Sequence, residues 1–190
     1  MSAEAVLENQ HRRVEALFVA LAQAGVNASS LVTELTTLLM AHMVVEEEVL
    51  YPIARRSKQD IVLANYEEHA LLAFGLTRLR MADISHESFT GKVTAVRELF
   101  SCHAADEERD LFPAVISTFG QPESLALGTK MELRFEELLA MGYHACRFMR
   151  GKDERLALQR RSGFTEGRDE GRDRDMDRSP LTLPSFELKD

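Results

Sequence analysis

Apolar residues recur every three or four positions in four stretches of the chain, the spacing of the buried face of an α-helix. The four stripes consist of Leu7, His11, Val14, Phe18 and Leu21; Leu35, Leu38, His42, Glu46, Val49 and Ile53; Val62, Tyr66, His69, Leu72, Leu76 and Leu79; and Val93, Val96, Phe100, His103, Glu107, Leu111 and Ala114. Polar residues at 27–30, 57–60 and 83–88 separate them, and Thr90–Gly91 precedes the fourth. Because the links are short, the pattern predicts an all-α fold, an up-down-up-down antiparallel four-helix bundle.

The pattern changes after the fourth stripe. Pro122, just after Gly120, predicts the start of a fifth helix, because Pro is favoured in the first turn of a helix. Beyond residue 150 both charge signs alternate with Gly, so we expect a mostly disordered tail; a docking segment in 181–188 is the alternative. The predicted division is a four-helix bundle at 1–120, an accessory helix packed on it at 121–150, and the charged tail at 151–190.

Composition narrows the function classes. Of the 190 residues, 45% are hydrophobic and 28% charged, which is typical of a soluble globular protein. The formal net charge of −8 argues against nucleic-acid binding. The N-terminal residues lack a signal-peptide pattern, no uncharged apolar run approaches membrane-spanning length, and two Cys suit a reducing compartment. We therefore expect a cytoplasmic protein without a nucleic-acid or membrane partner.

One phrase occurs twice. Residues 42–53 read HMVVEEEVLYPI and residues 103–114 read HAADEERDLFPA, so both contain a His, a Glu four positions later and an aromatic residue before Pro. Each phrase follows a helix with one His on its apolar stripe, His11 before the first and His69 before the second. The chain therefore contains two matching halves, each with two His and one Glu at inward positions.

These inward polar residues predict a metal site. A His and a Glu four residues apart lie one helical turn apart on the same face, so both can reach one point beside the axis. Imidazole nitrogen and carboxylate oxygen suit iron or manganese and tolerate zinc. The alternative is a set of ordinary hydrogen-bonded core residues, but buried carboxylates are costly unless paired or bound to metal. The candidate ligands of a binuclear centre are His11, His42, Glu46, His69, His103 and Glu107.

Residues from about 4 to 142 resemble the hemerythrin-like proteins, the HHE cation-binding domain. The matching motif is a lone His in the first helix, His-x-x-x-Glu with aromatic-Pro in the second, Glu68–His69 in the third, and His-x-x-x-Glu with Phe-Pro in the fourth. The resemblance implies a non-haem centre of two iron ions with an oxo or hydroxo bridge. It also implies that all six candidates are ligands, with Glu46 and Glu107 as bridging carboxylates.

Two positions depart from the pattern of the oxygen-carrying hemerythrins. Those carriers have a second His one turn from the first on the third helix, whereas Asn65 and Ala73 flank His69 here. They also use an Asp five residues after the fourth-helix His, where this chain has Glu108. A missing His leaves one metal more open, or lets water or Tyr66 fill the position. The departures favour chemistry or sensing with oxygen, peroxide or nitric oxide, or iron handling, over reversible oxygen carriage.

Several other side chains have predicted roles. Tyr66 lies one turn before His69 and is a candidate hydrogen-bond donor near the metals, redox-active phenol or direct ligand. An equal alternative is a core aromatic residue with its hydroxyl satisfied. Tyr51 and Phe112 precede the two prolines and are predicted to pack at the end of the bundle. His144 follows the bundle and is expected at the surface rather than as a seventh ligand. Four acids are expected either on solvated faces or as partners of the His N–H groups: Glu47, Glu48, Asp106 and Glu108.

The main hypothesis is a metal-binding protein whose di-iron centre binds or senses oxygen, peroxide or nitric oxide, or takes part in iron and oxidative-stress handling. One alternative is a di-iron oxidoreductase, either peroxidase-like, catalase-like or nitric-oxide-reducing, which needs an open iron position and a proton donor. The other is an interaction protein that reports iron status through the tail. The expected partners are a small diatomic gas or peroxide, and a protein bound by the tail.

Overall fold

The computed structural model describes residues 1–24 and 28–150, which form helices and contain no strand. The helices are α1 Ala3–Ala22, α2 Ala28–Val45, α3 Tyr51–Ala54, α4 Gln59–Arg80, α5 Ser88–Asp106 and α6 Phe112–Met141. Residues 143–150 are helical as well. The predicted all-α class is confirmed. The predicted disordered tail and its docking segment lie outside the described residues.

Four long helices enclose one core. Helix α1 packs against α2 and α5, and α4 packs against the same two helices, so the contacts close a ring. Each helix contributes a fully buried apolar side chain to this core, namely Leu7, Leu35, Leu72 and Phe100. Burial of each such side chain stabilises the fold by roughly 1.5–3 kcal/mol, and the polar candidates of the metal site interrupt this apolar interior.

Helix α5 begins earlier than expected. The prediction that Thr90–Gly91 precedes the fourth helix is wrong, because the helix already starts at Ser88. The Ser88 N–H donates to Nδ1 of His86 at 3.1 Å, and the earlier start lets Phe89 pack in the core, where it is 8% exposed. A local side-chain acceptor and one buried aromatic residue therefore outweigh the low helix propensity of Gly91.

Both copies of the repeated phrase contain a π-helical turn, Glu46–Leu50 and Glu107–Leu111. Each turn comes directly before the aromatic-Pro pair, and Pro has no N–H and clashes with the carbonyl four residues earlier. The wider turn bonds residue i to i+5, and the N–H groups after the two turns bond to the carbonyls of Glu46 and Glu107. The extra residue brings the following aromatic side chain closer to the face that carries the Glu.

The chain turns sharply at Gly120, whose φ of 77° belongs to the left-handed region that favours glycine. The helix after this break contains Pro122 in its first turn and packs against α1. The packing is close, because a Cβ on Gly128 would lie 2.2 Å from the backbone oxygen of Met1. The N–H of Ala3 also donates to Oγ of Ser124 at 3.0 Å, which joins this helix to the start of α1.

One helical stretch, Ala28–Ala54, is long and apolar enough to cross a membrane by length and composition, with a mean hydropathy of 1.4. In the structure 67% of its apolar 18-residue window is buried, as expected for a core helix of a bundle. Its apolar character is therefore accounted for by packing, and it carries His42 and Glu46 towards the interior.

Candidate metal centre

The structure brings all six candidate ligands together in the bundle interior. The four His come one from each helix of the ring, and the two Glu are the first residues of the two π-helical turns. None is more than 1% exposed; the residues are His11, His42, Glu46, His69, His103 and Glu107. Buried side chains from four separate helices thus converge where an apolar core would otherwise continue.

The Nε2 atoms of the His and the carboxylate oxygens face a common space. Oε2 of Glu46 lies 3.2 Å from Nε2 of His42, 3.3 Å from Nε2 of His69 and 4.0 Å from Nε2 of His103. Oε2 of Glu107 lies 3.5 Å from Nε2 of His103 and 3.6 Å from Nε2 of His11. Each carboxylate therefore lies between His side chains of different helices.

Two groups of potential ligand atoms, each within 4.8 Å, can be distinguished. One group consists of His11, His42, Glu46 and Glu107, and the other consists of Glu46, His69 and His103. Glu46 belongs to both groups, which is the position of a bridging carboxylate. Each group could hold a cation.

Several inward atoms have no hydrogen-bond partner among the described residues. They are Nε2 of His11 and His42, both carboxylate oxygens of Glu46, and Oε2 of Glu107. Leaving a buried polar atom unsatisfied costs about 1–3 kcal/mol, and more when the group is charged. Cations bound between these side chains would give such atoms the partners they lack, so the donor set fits a metal site.

The outward nitrogen of every candidate His is fixed by a side-chain oxygen. The Nδ1 contacts are His11 to Glu108 at 2.9 Å, His42 to Gln10 at 2.9 Å, His69 to Glu47 at 2.8 Å and His103 to Glu68 at 2.8 Å. Because these oxygens can only accept, each Nδ1 carries a proton and each Nε2 points into the interior. This is the hydrogen-bonding pattern of metal-bound His.

Two of these acceptors, Glu47 and Glu108, are among the four acids for which such a role was expected. Glu48 instead pairs with Arg134 at 2.7 Å, and Asp106 pairs with Arg109 at 2.8 Å. The roles of Gln10 and Glu68 were missed. Glu68 precedes His69 in sequence but bonds to the His of α5, and helical periodicity does not reveal such cross-helix pairing.

The hydroxyl found at the site is that of Tyr51. It donates to Oε1 of Glu107 at 2.9 Å and lies 3.0 Å from Nε2 of His69. The prediction that Tyr51 serves only for packing is therefore wrong, and the π-helical turn is the physical reason. Tyr66, the predicted donor, contacts the ring of Tyr51 edge-on at 5.2 Å between centroids, so its own role stays a prediction.

Asn65 is also part of the site. It lies one turn before His69, one of the two positions where a second His of the oxygen carriers would lie. Its Nδ2 donates to Oε1 of Glu107 at 2.8 Å. One oxygen of Glu107 is thus occupied by Tyr51 and Asn65, while its other oxygen is open. Both oxygens of Glu46 are open. The two carboxylates are therefore not equivalent.

The electrostatics separate the two His-x-x-x-Glu pairs. Burial raises the pKa of Glu46, and the charge of Glu107 raises it further. Burial would also raise the pKa of Glu107, but His103 and His11 lower that pKa well below its usual range. Burial lowers the pKa of His42, whereas the carboxylates around His103 outweigh burial and raise its pKa well above 6.5. Cations entering the site must displace the protons held there.

Three further side chains, His144 and the two Cys, belong to neither group of ligand atoms. His144 is exposed near the C-terminal end of the described chain. Cys102 is exposed, Cys146 is buried, and both are free thiols. The cluster therefore consists of the six inward residues with Tyr51 and Asn65 beside them.

Comparison with known proteins agrees with this geometry. The family model of the hemerythrin HHE cation-binding domain matches residues 2–115. A solved structure, that of a hemerythrin HHE cation-binding domain-containing protein from Mycobacterium kansasii, is similar with a TM-score of 0.68 and 25% sequence identity. The similarity covers 74% of this chain and 89% of that protein. No curated protein matches the chain. The match over residues 2–115 shows that this chain belongs to the hemerythrin HHE cation-binding domain family.

Proposed function

We propose that the protein holds two iron ions inside an up-down-up-down bundle and uses them to bind or sense oxygen, peroxide or nitric oxide, or to handle iron under oxidative stress. The ligands are His11, His42, Glu46, His69, His103 and Glu107. The observation that carries this proposal is the set of unpartnered inward atoms on buried His and Glu side chains, each His being fixed from outside through Nδ1.

The two carboxylates have different roles in this proposal. Glu46 would hold the ions with its whole carboxylate, because neither oxygen has another partner among the described residues. Glu107 binds through Oε2 alone, because Oε1 accepts from Tyr51 and Asn65. Nitrogen and carboxylate donors suit iron, and manganese or zinc would fit the same set by ligand chemistry.

Bound ferrous ions would supply electrons and open coordination positions for a small ligand. The protein supplies the surroundings: Phe100 lies edge-on to the rings of His11 and His42, at 5.7 and 6.4 Å between centroids, and Phe112 stacks on His11 at 6.0 Å. These apolar rings exclude water from one side of the site and favour uncharged diatomic ligands over ions.

Metal analysis and optical spectra of aerobically purified protein test the proposal. About two irons for each chain are expected, with the absorption of an oxygen-bridged ferric pair. His42→Ala and Glu107→Ala should each lose iron, whereas His144→Ala, a matched change of an exposed His, should retain it. Iron contents equal to the parent's in His42→Ala and Glu107→Ala would show that the site is wrong.

A second candidate function is a di-iron oxidoreductase, and Tyr51 favours it. Its hydroxyl is fully buried at the site, and burial together with the charges of Glu107 and Glu46 raises its pKa well above 10, so the phenol keeps its proton. A protonated phenol between a carboxylate and an imidazole can deliver a proton to a ligand bound there.

Stopped-flow mixing of the reduced protein with oxygen, peroxide and nitric oxide distinguishes the candidates. A stable adduct supports binding or sensing. Repeated turnover that falls about 100-fold or more in Tyr51→Phe, with iron retained, supports the enzyme. Inertness to all three, with partner binding that depends on residues 151–190, supports an iron-status interaction protein.

A further inference from the structure

A buried arginine from the C-terminal end of the described chain reaches the candidate metal centre through one carboxylate. Nε of Arg150 donates to Oε1 of Glu47 at 2.8 Å, and Nδ1 of His69 donates to the same oxygen at 2.8 Å. Arg150 and Glu47 have side chains that are each only 6% exposed. Because two donors share one oxygen away from water, a change in either bond alters the other.

In the other half of the repeat, an Arg also contacts the carboxylate that accepts from the His, but there the Arg is exposed to solvent. Nδ1 of His11 donates to Oε1 of Glu108 at 2.9 Å, and Nη2 of Arg12 donates to Oε2 of Glu108 at 2.6 Å. Here the two donors use different oxygens, and the side chain of Arg12 is 57% exposed. Water can replace Arg12, so this pair has a weak influence on its His.

Arg150 lies outside the part of the chain that defines the family. The family model ends at residue 115, and Arg150 follows the break at Gly142 in the helical residues 143–150. Its Nη2 also donates to the backbone oxygen of Tyr66 at 3.4 Å, one turn before His69 on α4. The C-terminal segment thus contacts both the acceptor of His69 and the helix that carries it.

We infer that Arg150 is a positioning residue of the metal centre, which acts through Glu47 to set the donor strength of His69. The inference rests on the proposed function. The positive charge of Arg150 draws electron density from Glu47 and thereby weakens its acceptance from His69. Without Arg150, Glu47 accepts more strongly, the imidazole becomes a stronger donor, and the ferric state of the bound iron is favoured. The extra segment therefore raises the reduction potential of the site.

Spectroelectrochemical titration of the iron-loaded full chain tests the inference. Arg150→Gln should lower the midpoint potential. Arg134→Gln is the matched control, since Arg134 also joins the C-terminal region to the π-helical turn, but through Glu48 rather than Glu47. It should leave the potential at the parent value. In a Glu47→Gln background, Arg150→Gln should cause no further shift, because the carboxylate charge through which Arg150 acts on His69 has been removed.

The outcomes separate the inference from the proposed function. A parent protein that holds no iron contradicts the proposed function itself. Iron-loaded Arg150→Gln with the potential of the parent, or a shift that persists in the Glu47→Gln background, overturns the role of Arg150 alone. If circular dichroism shows that Arg150→Gln has lost helix, Arg150→Lys replaces it. Lysine keeps the charge but loses the guanidinium geometry, so a smaller negative shift, again absent with Glu47→Gln, is expected.

Discussion

The two copies of the repeated phrase carry the same His-x-x-x-Glu pair in opposite electrostatic states. In the first, burial lowers the pKa of His42 and raises that of Glu46, so the charged forms of both residues are disfavoured. In the second, the pKa of His103 is raised and that of Glu107 is lowered, so the pair is ionic. Identical spacing in the sequence therefore does not give identical chemistry.

The neighbours explain the difference. His42 is held by the neutral amide of Gln10, whereas His103 is held by the carboxylate of Glu68. Glu107 accepts from Tyr51 and Asn65 through Oε1, whereas the oxygens of Glu46 have no partner among residues 1–24 and 28–150. The residues equivalent to Tyr51 and Asn65 in the other half are Phe112 and Leu7, neither of which can donate. Apolar replacements on one side thus leave Glu46 open for metal.

The largest expected effect comes from metal removal. Removing the metal with a chelator should lower the unfolding free energy by about 4 kcal/mol or more. This is the stabilisation expected when the free metal concentration is about 1,000 times its Kd. The loss should be uneven, because Glu107 keeps two donors and Glu46 keeps none. Hydrogen exchange should rise more in peptides from residues 42–53 than in those from 103–114. Equal hydrogen exchange in the two segments after metal removal would contradict the proposed difference between Glu46 and Glu107.

The stability of the metal-free protein should fall on both sides of neutral pH. The pKa of His103 is raised, so its stabilisation is present below about 6.5 and is lost as the pH rises through its folded value. The pKa of His42 is lowered, so its stabilisation is present above about 6.5 and is lost as the pH falls. Thermal melts of chelated protein from pH 5 to 9 measure both limbs. His103→Gln should reduce the loss of stability above neutral pH, and His42→Gln should reduce the loss just below it. An unchanged pH dependence in both variants would show that these two His do not cause it.

Exchanging the aromatic residues sharpens the comparison. Tyr51→Phe removes a hydrogen bond to the buried carboxylate of Glu107 and should cost about 1–3 kcal/mol of unfolding free energy. Phe112→Tyr is the mirror change, and it places a hydroxyl on the ring that stacks on His11. We expect it to offer Glu46 a donor and to lower the unfolding free energy by less than Tyr51→Phe does. Chemical denaturation of both metal-free variants checks this order, and the reverse order would count against it.

The smallest expected effect comes from replacing Gln10, the neutral amide that accepts from Nδ1 of His42. Gln10→Glu should raise the pKa of His42, because a carboxylate would then face its Nδ1–H as Glu68 faces that of His103. NMR titration of the His42 ring in the metal-free protein measures the shift. Glu8→Gln, two residues earlier on the exposed side of α1, is the control and should leave the titration unchanged. An unchanged pKa of His42 in Gln10→Glu would show that the neutral acceptor does not explain the difference between His42 and His103.

Much of the site follows from the sequence, because the repeat and the helical period place His42, Glu46, His103 and Glu107 on inward faces. What could not be read is the π-helical turn, since a wider turn is invisible to a pattern of fixed period. That turn brings Tyr51 to Glu107 and leaves Tyr66 behind it. Partners that come from other helices, such as Gln10, depend on helix rotation and height, which periodicity does not specify.

The measurement that tests the central claim most directly is anomalous diffraction at the iron edge from crystals of the iron-loaded protein. We predict two peaks. One marks an ion bonded to Nε2 of His11 and His42, and the other an ion bonded to Nε2 of His69 and His103. Glu46 should contact both peaks through its two oxygens. A single peak, binding through Nδ1, or iron located away from Glu46 would contradict the account.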